Sequence, residues 1–264
     1  MKLTLPIQVP EKRMLEKKSE FTIYPITVLQ DNIVWVWVHG CNAVVVDPSI
    51  SRPVKEWLLN KNLSLRAILQ THHHEDHIGG TQELIKRWPK AKVIASKKEI
   101  KRIPFQTFSV DDNDIFHLFN SKIKVIEVHG HTNNHIAFYI SNKNSNYNIL
   151  FPGDTLFGGG CGRLLEGTAS QMFESLNKLN SLPESTRVYS AHEYTENNLK
   201  WALSLQKNDI SIIKRLKIVE NKRQNGLPSL PSTISEERKT NLFLRAKSIE
   251  EFTKLRHNKD NWKC

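Results

Sequence analysis

The sequence predicts a sheet-rich α/β domain running to about residue 193, followed by a small helical domain. Three observations predict it. Short β-branched or aromatic runs alternate with runs of helical spacing as far as Glu193. Beyond that point only helical periodicity remains. The residues best suited to hold metal fall where strands end, the usual place for chemistry in α/β proteins.

In chain order, "NIVWVWV" (32–38) and "NAVVVDP" (42–48) read as strands bounded by turn residues. "PVKEWLLNKN" (53–62) spaces Val54, Trp57 and Leu58 as a helix face, and "LRAILQT" (65–71) reads as a buried strand. A helix follows over 80–89, with Thr81 near its start and Pro89 at its end. Further strands are expected at 91–96, 122–130, 135–141, 147–154 and 186–194. Then come helices over 194–206 and 209–226, the latter closed by Gly226 and Pro228. A Pro/Ser/Thr loop is expected at 227–237, and a last helix over 248–262. Ser248 and Glu251 form a capping-box pattern at that helix's start.

The 264 residues are 39% hydrophobic and 25% charged, ordinary for a globular chain with a sizeable core. No run of about 18 apolar residues predicts a membrane span. Residues 1–20 lack the apolar centre of a secretory signal and read as an extension outside the domain, with Met14 an alternative start. Three unpatterned cysteines, Cys41, Cys161 and Cys264, argue against a disulfide framework and place the protein in the cytoplasm. The net charge of +11 is spread along the chain, without the basic, aromatic-interleaved block of a nucleic-acid platform. Neither a nucleic acid nor a membrane is expected as partner.

The segment "THHHEDH" (71–77) begins where strand 65–70 ends. In extended backbone His72 and His74 point the same way and His73 points away. Asp76 and His77 follow as the chain bends toward the next helix. Imidazole and carboxylate suit zinc, iron and manganese. "HGHT" (129–132), "PGDT" (152–155) and "SAHEY" (190–194) each end a strand and each carry a His or an Asp. Seven such ligands exceed one tetrahedral site and fit two neighbouring metals sharing a carboxylate.

T-H-x-H-x-D-H with the later G-H-T, G-D-T and final His resembles the metallo-β-lactamase superfamily, which implies an αββα sandwich. "FPGDTLFGGGCGRLLEGTASQMFESLNKL" (151–179), "AHEYTENNL" (191–199), "PSTISEERKTNLFLR" (231–245) and "LRHNKD" (255–260) carry the likeness further. They resemble the glyoxalase II (hydroxyacylglutathione hydrolase) family from about residue 21 to the C-terminus. A dimetal domain over 21–193 and a substrate-binding helical domain over 194–264 are the implied layout. His72, His74 and His131 match one metal's ligands, and Asp76, His77 and His192 match the other's. Asp154 matches the bridging carboxylate. Asp76 is also implied to orient the attacking hydroxide. His73 and Glu75 match no ligand, and His135 matches a structural histidine. His39, His117, His129 and His257 match no ligand position and are expected to be solvent-exposed or hydrogen-bonded.

The resemblance implies hydrolysis of the thioester S-D-lactoylglutathione with two divalent ions, zinc foremost, with iron or manganese as alternatives; a monomer is expected. Arg256 and Lys259 would bind the glycine carboxylate. They lie three apart, so one helix face can present both. Arg163 and Tyr194 match further substrate contacts. The chain departs from the family pattern at Leu165, where many members carry Phe or Tyr. It departs again at His129, where Pro is usual, and at Asn134, where Gly or Asp is usual and where an altered turn is expected.

Overall fold

A computed structural model describes residues 22–141 and 148–263. The extension 1–20, Met14 and Cys264 lie outside the described residues. The first sheet holds β1 (Thr22–Val28), β2 (Asn32–His39), β3 (Asn42–Val46), β4 (Ser64–Leu69), β5 (Lys92–Ser96) and β6 (Phe108–Val110), in that spatial order. β1 to β3 are antiparallel neighbours, and β3 to β6 are parallel. The second sheet holds β7 (Ile115–Leu118), β8 (Ser121–Glu127), β9 (Ile136–Ser141) and β10 (Ile149–Phe151). After a small hairpin of β11 (Leu156–Phe157) and β12 (Gly160–Cys161), the sheet is completed by β13 (Arg187–Val188) and β14 (Ser232–Thr233).

The helices are α1 (Ser51–Asn60), α2 (Glu75–Ile78), α3 (Thr81–Arg87) and α4 (Ala169–Asn180) in the sandwich part. α5 (Thr195–Leu205), α6 (Ile210–Gln224), α7 (Ile234–Thr240), α8 (Leu242–Arg245) and α9 (Ile249–Asn261) form the tail. The two sheets pack face to face through Trp35, Trp37, Val44 and Leu69 on one side and Val125, Phe138 and Phe151 on the other. The outer face of the first sheet is covered by Val54 and Leu58 of α1 and Leu84 of α3. The outer face of the second is covered by Met172 and Leu176 of α4 and by Leu199 and Trp201 of the tail. Both faces of the central strands are therefore dry, which explains why β2 reads as an unbroken apolar run rather than an alternating one. The result is the αββα sandwich with a helical tail. No described helix is long and apolar enough to cross a membrane.

The differences from the sequence expectations have local causes. β1 went unread because it is a largely exposed edge strand with Pro25 in it, a residue edge strands tolerate. The 186–194 strand shrinks to Arg187–Val188, after which only an isolated bridge pairs Asn32 with His192. The expected 227–237 loop instead contains β14 and the start of α7, because the Thr233 side chain accepts from Glu236 N and caps the helix. The helical tail thus lends an edge strand to the sandwich. The Ser248 capping box is half formed: Ser248 Oγ accepts from Glu251 N, but the Glu251 carboxylate takes Lys247 N rather than that of Ser248.

A buried ion pair fastens the tail to the site. Glu237 accepts from Arg215 at 2.6 Å, from Gly159 N at 2.8 Å and from Asn241 Nδ2 at 3.1 Å. Both charged side chains are almost fully buried. Removing one partner strands the other's charge. Glu237→Ala should cost about 3–5 kcal/mol in chemical denaturation. A loss under about 1 kcal/mol would show that the pair does not hold the tail.

Candidate metal centre

The loop after β4 brings His72 and His74 inward, and the single turn of α2 swings Asp76 and His77 in beside them. His131 comes from the loop between β8 and β9. Asp154 follows β10 and His192 follows β13. Gly153 has φ +50, and a side chain there would press on His135 Nε2 at 2.7 Å. Only glycine turns the chain so that Asp154 faces the histidines.

The inward atoms fall into two groups. His74 Nδ1 lies 2.9 Å from His72 Nε2 and 3.1 Å from His131 Nε2. His192 Nε2 lies 3.4 Å from His77 Nε2 and 3.5 Å from Asp76 Oδ2. These sets can each surround one ion. Asp154 stands between them. Its Oδ1 is 3.3 Å from His77 and 3.4 Å from His192, while its Oδ2 is 3.5 Å from His131. Donors about 2.0–2.2 Å from one small dication stand roughly 3.3 Å apart at tetrahedral angles. Buried Asp154 Oδ1 has no hydrogen-bond partner. Imidazole lone pairs facing one another across such gaps, beside an orphaned carboxylate oxygen, fit two cations well.

The outward nitrogens fix which ring atom faces in. His77 Nδ1 is 3.1 Å from Asp47, His192 Nδ1 is 2.7 Å from Asp31, and His131 Nδ1 is 2.9 Å from Arg163 O. Thr71 Oγ1 donates to Asp47 at 2.6 Å, so its oxygen is left to accept from His72 Nδ1 at 3.1 Å. Asn32 Nδ2 donates to Asp76 Oδ2 at 3.1 Å. Burial and the neighbouring His77 hold His72 well below the usual imidazole range. Burial and His131 push His74 down to about 4. Burial opposes protonation of His77 and His192 too, but Asp154, joined by Asp47 at His77 and by Asp31 at His192, outweighs it and both are raised. Burial would raise Asp154, but His77 and His192 hold it well below the carboxylate range. The carboxylate thus draws positive charge into the gap.

His73 turns away to Glu99, Arg102 and Glu166, and Glu75 is exposed. His135 accepts from Asp154 N at 3.1 Å and stacks on His72, and burial lowers its pKa well below the usual value. Asn134 is not among the residues of positive φ, so it demands no glycine. Asp31, Asn32 and Asp47 were missed in the sequence. Asp47 alone left a trace, an acid before proline at a strand end.

A cavity of ≈ 440 Å³ opens beside Asp154 and His131 and reaches Arg163, Tyr194, Arg256 and Lys259. Tyr194 lies flat on His192, with ring centroids 4.8 Å apart. Burial and the Asp31, Asp154 and Asp76 carboxylates push its phenol up. Lys259 packs against Trp262 and Trp201. Arg256, expected beside Lys259 as a carboxylate-binding cation, lines the cavity but is buried. It donates to Cys161 O at 3.0 Å and to Asp260 at 2.7 Å and lies over Phe243. Leu165 is 59% exposed at the cavity's edge, so no side-chain hydroxyl stands at that position.

Fold and donor set together define a class. The metallo-beta-lactamase superfamily model matches residues 26–192, and the chain belongs to that superfamily, which implies a dimetal centre. The hydroxyacylglutathione hydrolase C-terminus model matches residues 193–262. Hydroxyacylglutathione hydrolase of Prochlorococcus marinus (strain NATL2A) is 76% identical over 251 residues, 95% of this chain and 100% of the relative. The one from strain MIT 9211 is 57% identical, covering 94% and 99%. Within the superfamily the chain belongs to the hydroxyacylglutathione hydrolase family. Among solved structures, ETHE1 from Myxococcus xanthus is similar with a TM-score of 0.68 at 23% identity, over 92% of each chain. TTHA1623 in a di-iron-bound form matches with a TM-score of 0.53 at 25% identity, over 64% of this chain and 91% of that one.

Cys161 lines the cavity but is no nucleophile in waiting. Burial pushes its thiol up to about 11, against the pull of Arg256. Below that value the unreactive thiol form prevails. At pH 7.5 an alkylating reagent should label exposed Cys41 at least about tenfold faster than Cys161. Faster labelling of Cys161 would contradict its protonated state.

Proposed function

We infer that the chain is a dimetal thioester hydrolase that cleaves S-D-lactoylglutathione to D-lactate and glutathione. The observation that carries this reading is the continuity of one cavity from the Asp154 cleft to the cationic wall built by the helical tail. In this reading His72, His74 and His131 hold one ion, Asp76, His77 and His192 the other, and Asp154 spans both. Zinc is the proposed metal, and the same donors accept iron or manganese. When bound, two dications supply Lewis acidity, polarising a carbonyl and lowering the pKa of water.

The chain's own residues then do the placing. Asp76, held by Asn32, offers a carboxylate at the cleft to orient the attacking oxygen. Tyr194 and Phe157, ring against ring, form an apolar flank for the substrate's thioester arm. Glutathione carries more negative than positive charge, so Lys259 and exposed Arg163 are placed to receive its carboxylates. Arg256 holds the Cys161–Gly162 backbone that forms the wall between them. A thiol leaving group, of pKa about 8.5, departs as thiolate without a strong acid. The site's partner is thus a small-molecule thioester. A monomer in the cytoplasm completes the reading, in keeping with the unpaired cysteines Cys41 and Cys161.

Steady-state hydrolysis of S-D-lactoylglutathione, with metal measured on the same sample, tests the reading. Turnover should rise with metal content toward two ions per chain, and absent turnover in loaded protein would sink it. Asp154→Ala and His192→Ala should each cut kcat by orders of magnitude. Lys259→Ala should raise KM roughly tenfold with kcat nearly unchanged, because it removes binding common to ground and transition states. A change confined to kcat would remove Lys259 from substrate binding. Arg256→Ala should raise KM and also lower stability, because buried carbonyls lose their donor.

A further inference from the structure

The two halves of the donor set are backed differently. Around His72, His74 and His131 the outer partners are neutral: the Thr71 hydroxyl and the Arg163 carbonyl. Around the other half they are carboxylates and a side-chain amide. Asp47 backs His77, Asp31 backs His192, and Asn32 tethers Asp76. Two of those three residues are chain neighbours where the β1–β2 turn meets β2, Asp31 ending the turn and Asn32 opening the strand.

We propose that the Asp31–Asn32 turn is a positioning device for the half-site of Asp76, His77 and His192, setting how tightly that half holds its cation without acting on the other half. The proposal rests on the dimetal reading above and goes beyond it.

The turn is rigidly placed. Ile33 N donates to Ala191 O at 2.7 Å and Glu193 N donates to Asp31 O at 2.8 Å, so backbone bonds clamp it on both sides of His192. From there Asp31 Oδ1 meets His192 Nδ1 at 2.7 Å. That contact holds the proton on the outward nitrogen, leaves the Nε2 lone pair facing inward, and makes it more basic. Asn32 donates one amide to two Asp76 acceptors, Oδ2 and the main-chain O, each at 3.1 Å.

Asp76 needs such a tether. Its side chain is 41% exposed, and it sits on α2, a helix of a single turn. A loose carboxylate there would lose rotamer freedom each time it closed on a cation. A neutral amide suits the task. It fixes the carboxylate without cancelling its charge, whereas a Lys or Arg at position 32 would compete with the cation. Asn32 is buried and also lies 3.5 Å from His192 Nε2, so one side chain touches two members of this half. The contacts that place His72, His74 and His131 involve neither Asp31 nor Asn32.

The test is zinc binding by the full chain, titrated against a chromophoric chelator. Wild type should take two equivalents. Asp31→Asn keeps the shape and removes the charge, and Asn32→Ala removes the tether. In each, one equivalent should loosen about 10–100-fold while the other stays within about twofold. In a His192→Ala background, Asp31→Asn should add no further loss, because it acts through His192. Both equivalents unchanged, both loosened in parallel, or a further loss in the His192→Ala background would overturn the proposal. Fewer than two equivalents in wild type would fail the dimetal reading itself and the proposal with it.

Discussion

Asp154 is a carboxylate buried between two clusters of imidazoles, with one oxygen left without a hydrogen-bond partner. A bare charge in that position is costly unless positive charge meets it. The surrounding architecture supplies the answering donors. His77 and His192 face one oxygen and His131 the other. They come from the segments that follow β4, β13 and β8, so the sandwich serves as a frame that holds these segments together. Gly153 lets the chain turn there, and His135 pins the Asp154 backbone from beneath.

The tail is part of this frame rather than an attachment to it. Ser232–Thr233 pairs with Arg187–Val188, only a few residues before His192. Glu237 and Asn241 reach the 157–160 backbone, and Arg256 holds the carbonyls of Cys161 and Gly162. The wall that would meet a glutathione moiety is therefore tied to the strand ends that carry the metal donors. Binding energy gathered at the tail can position a thioester at the cleft.

The sequence shows local features well and tertiary ones poorly. The β-branched runs of β2 and β3 and the alternation of His72 and His74 are local, and each reads directly. Helix α4 was missed although Thr168 and Gln171 carry a capping box that the structure forms. The start of α7 was missed among prolines although Thr233 and Glu236 gave the same kind of signal. Asp31 and Asn32 had no signal at all. Their roles depend on His192 and Asp76, 161 and 44 positions away, and no periodicity reports such a meeting. The family resemblance assigns Arg256 to substrate binding, and its side chain does line the cavity. Its burial over Phe243 and its bonds to the Cys161 carbonyl follow from packing that only the fold reveals.

The central claim is that Asp154 spans two cations held by two distinct donor groups. Anomalous diffraction from crystals of the zinc-loaded protein tests it most directly. The account predicts two peaks about 3.5–4 Å apart. One should lie against His72, His74 and His131, the other against Asp76, His77 and His192, with Asp154 between them. A single peak in protein that turns over at full rate would contradict it.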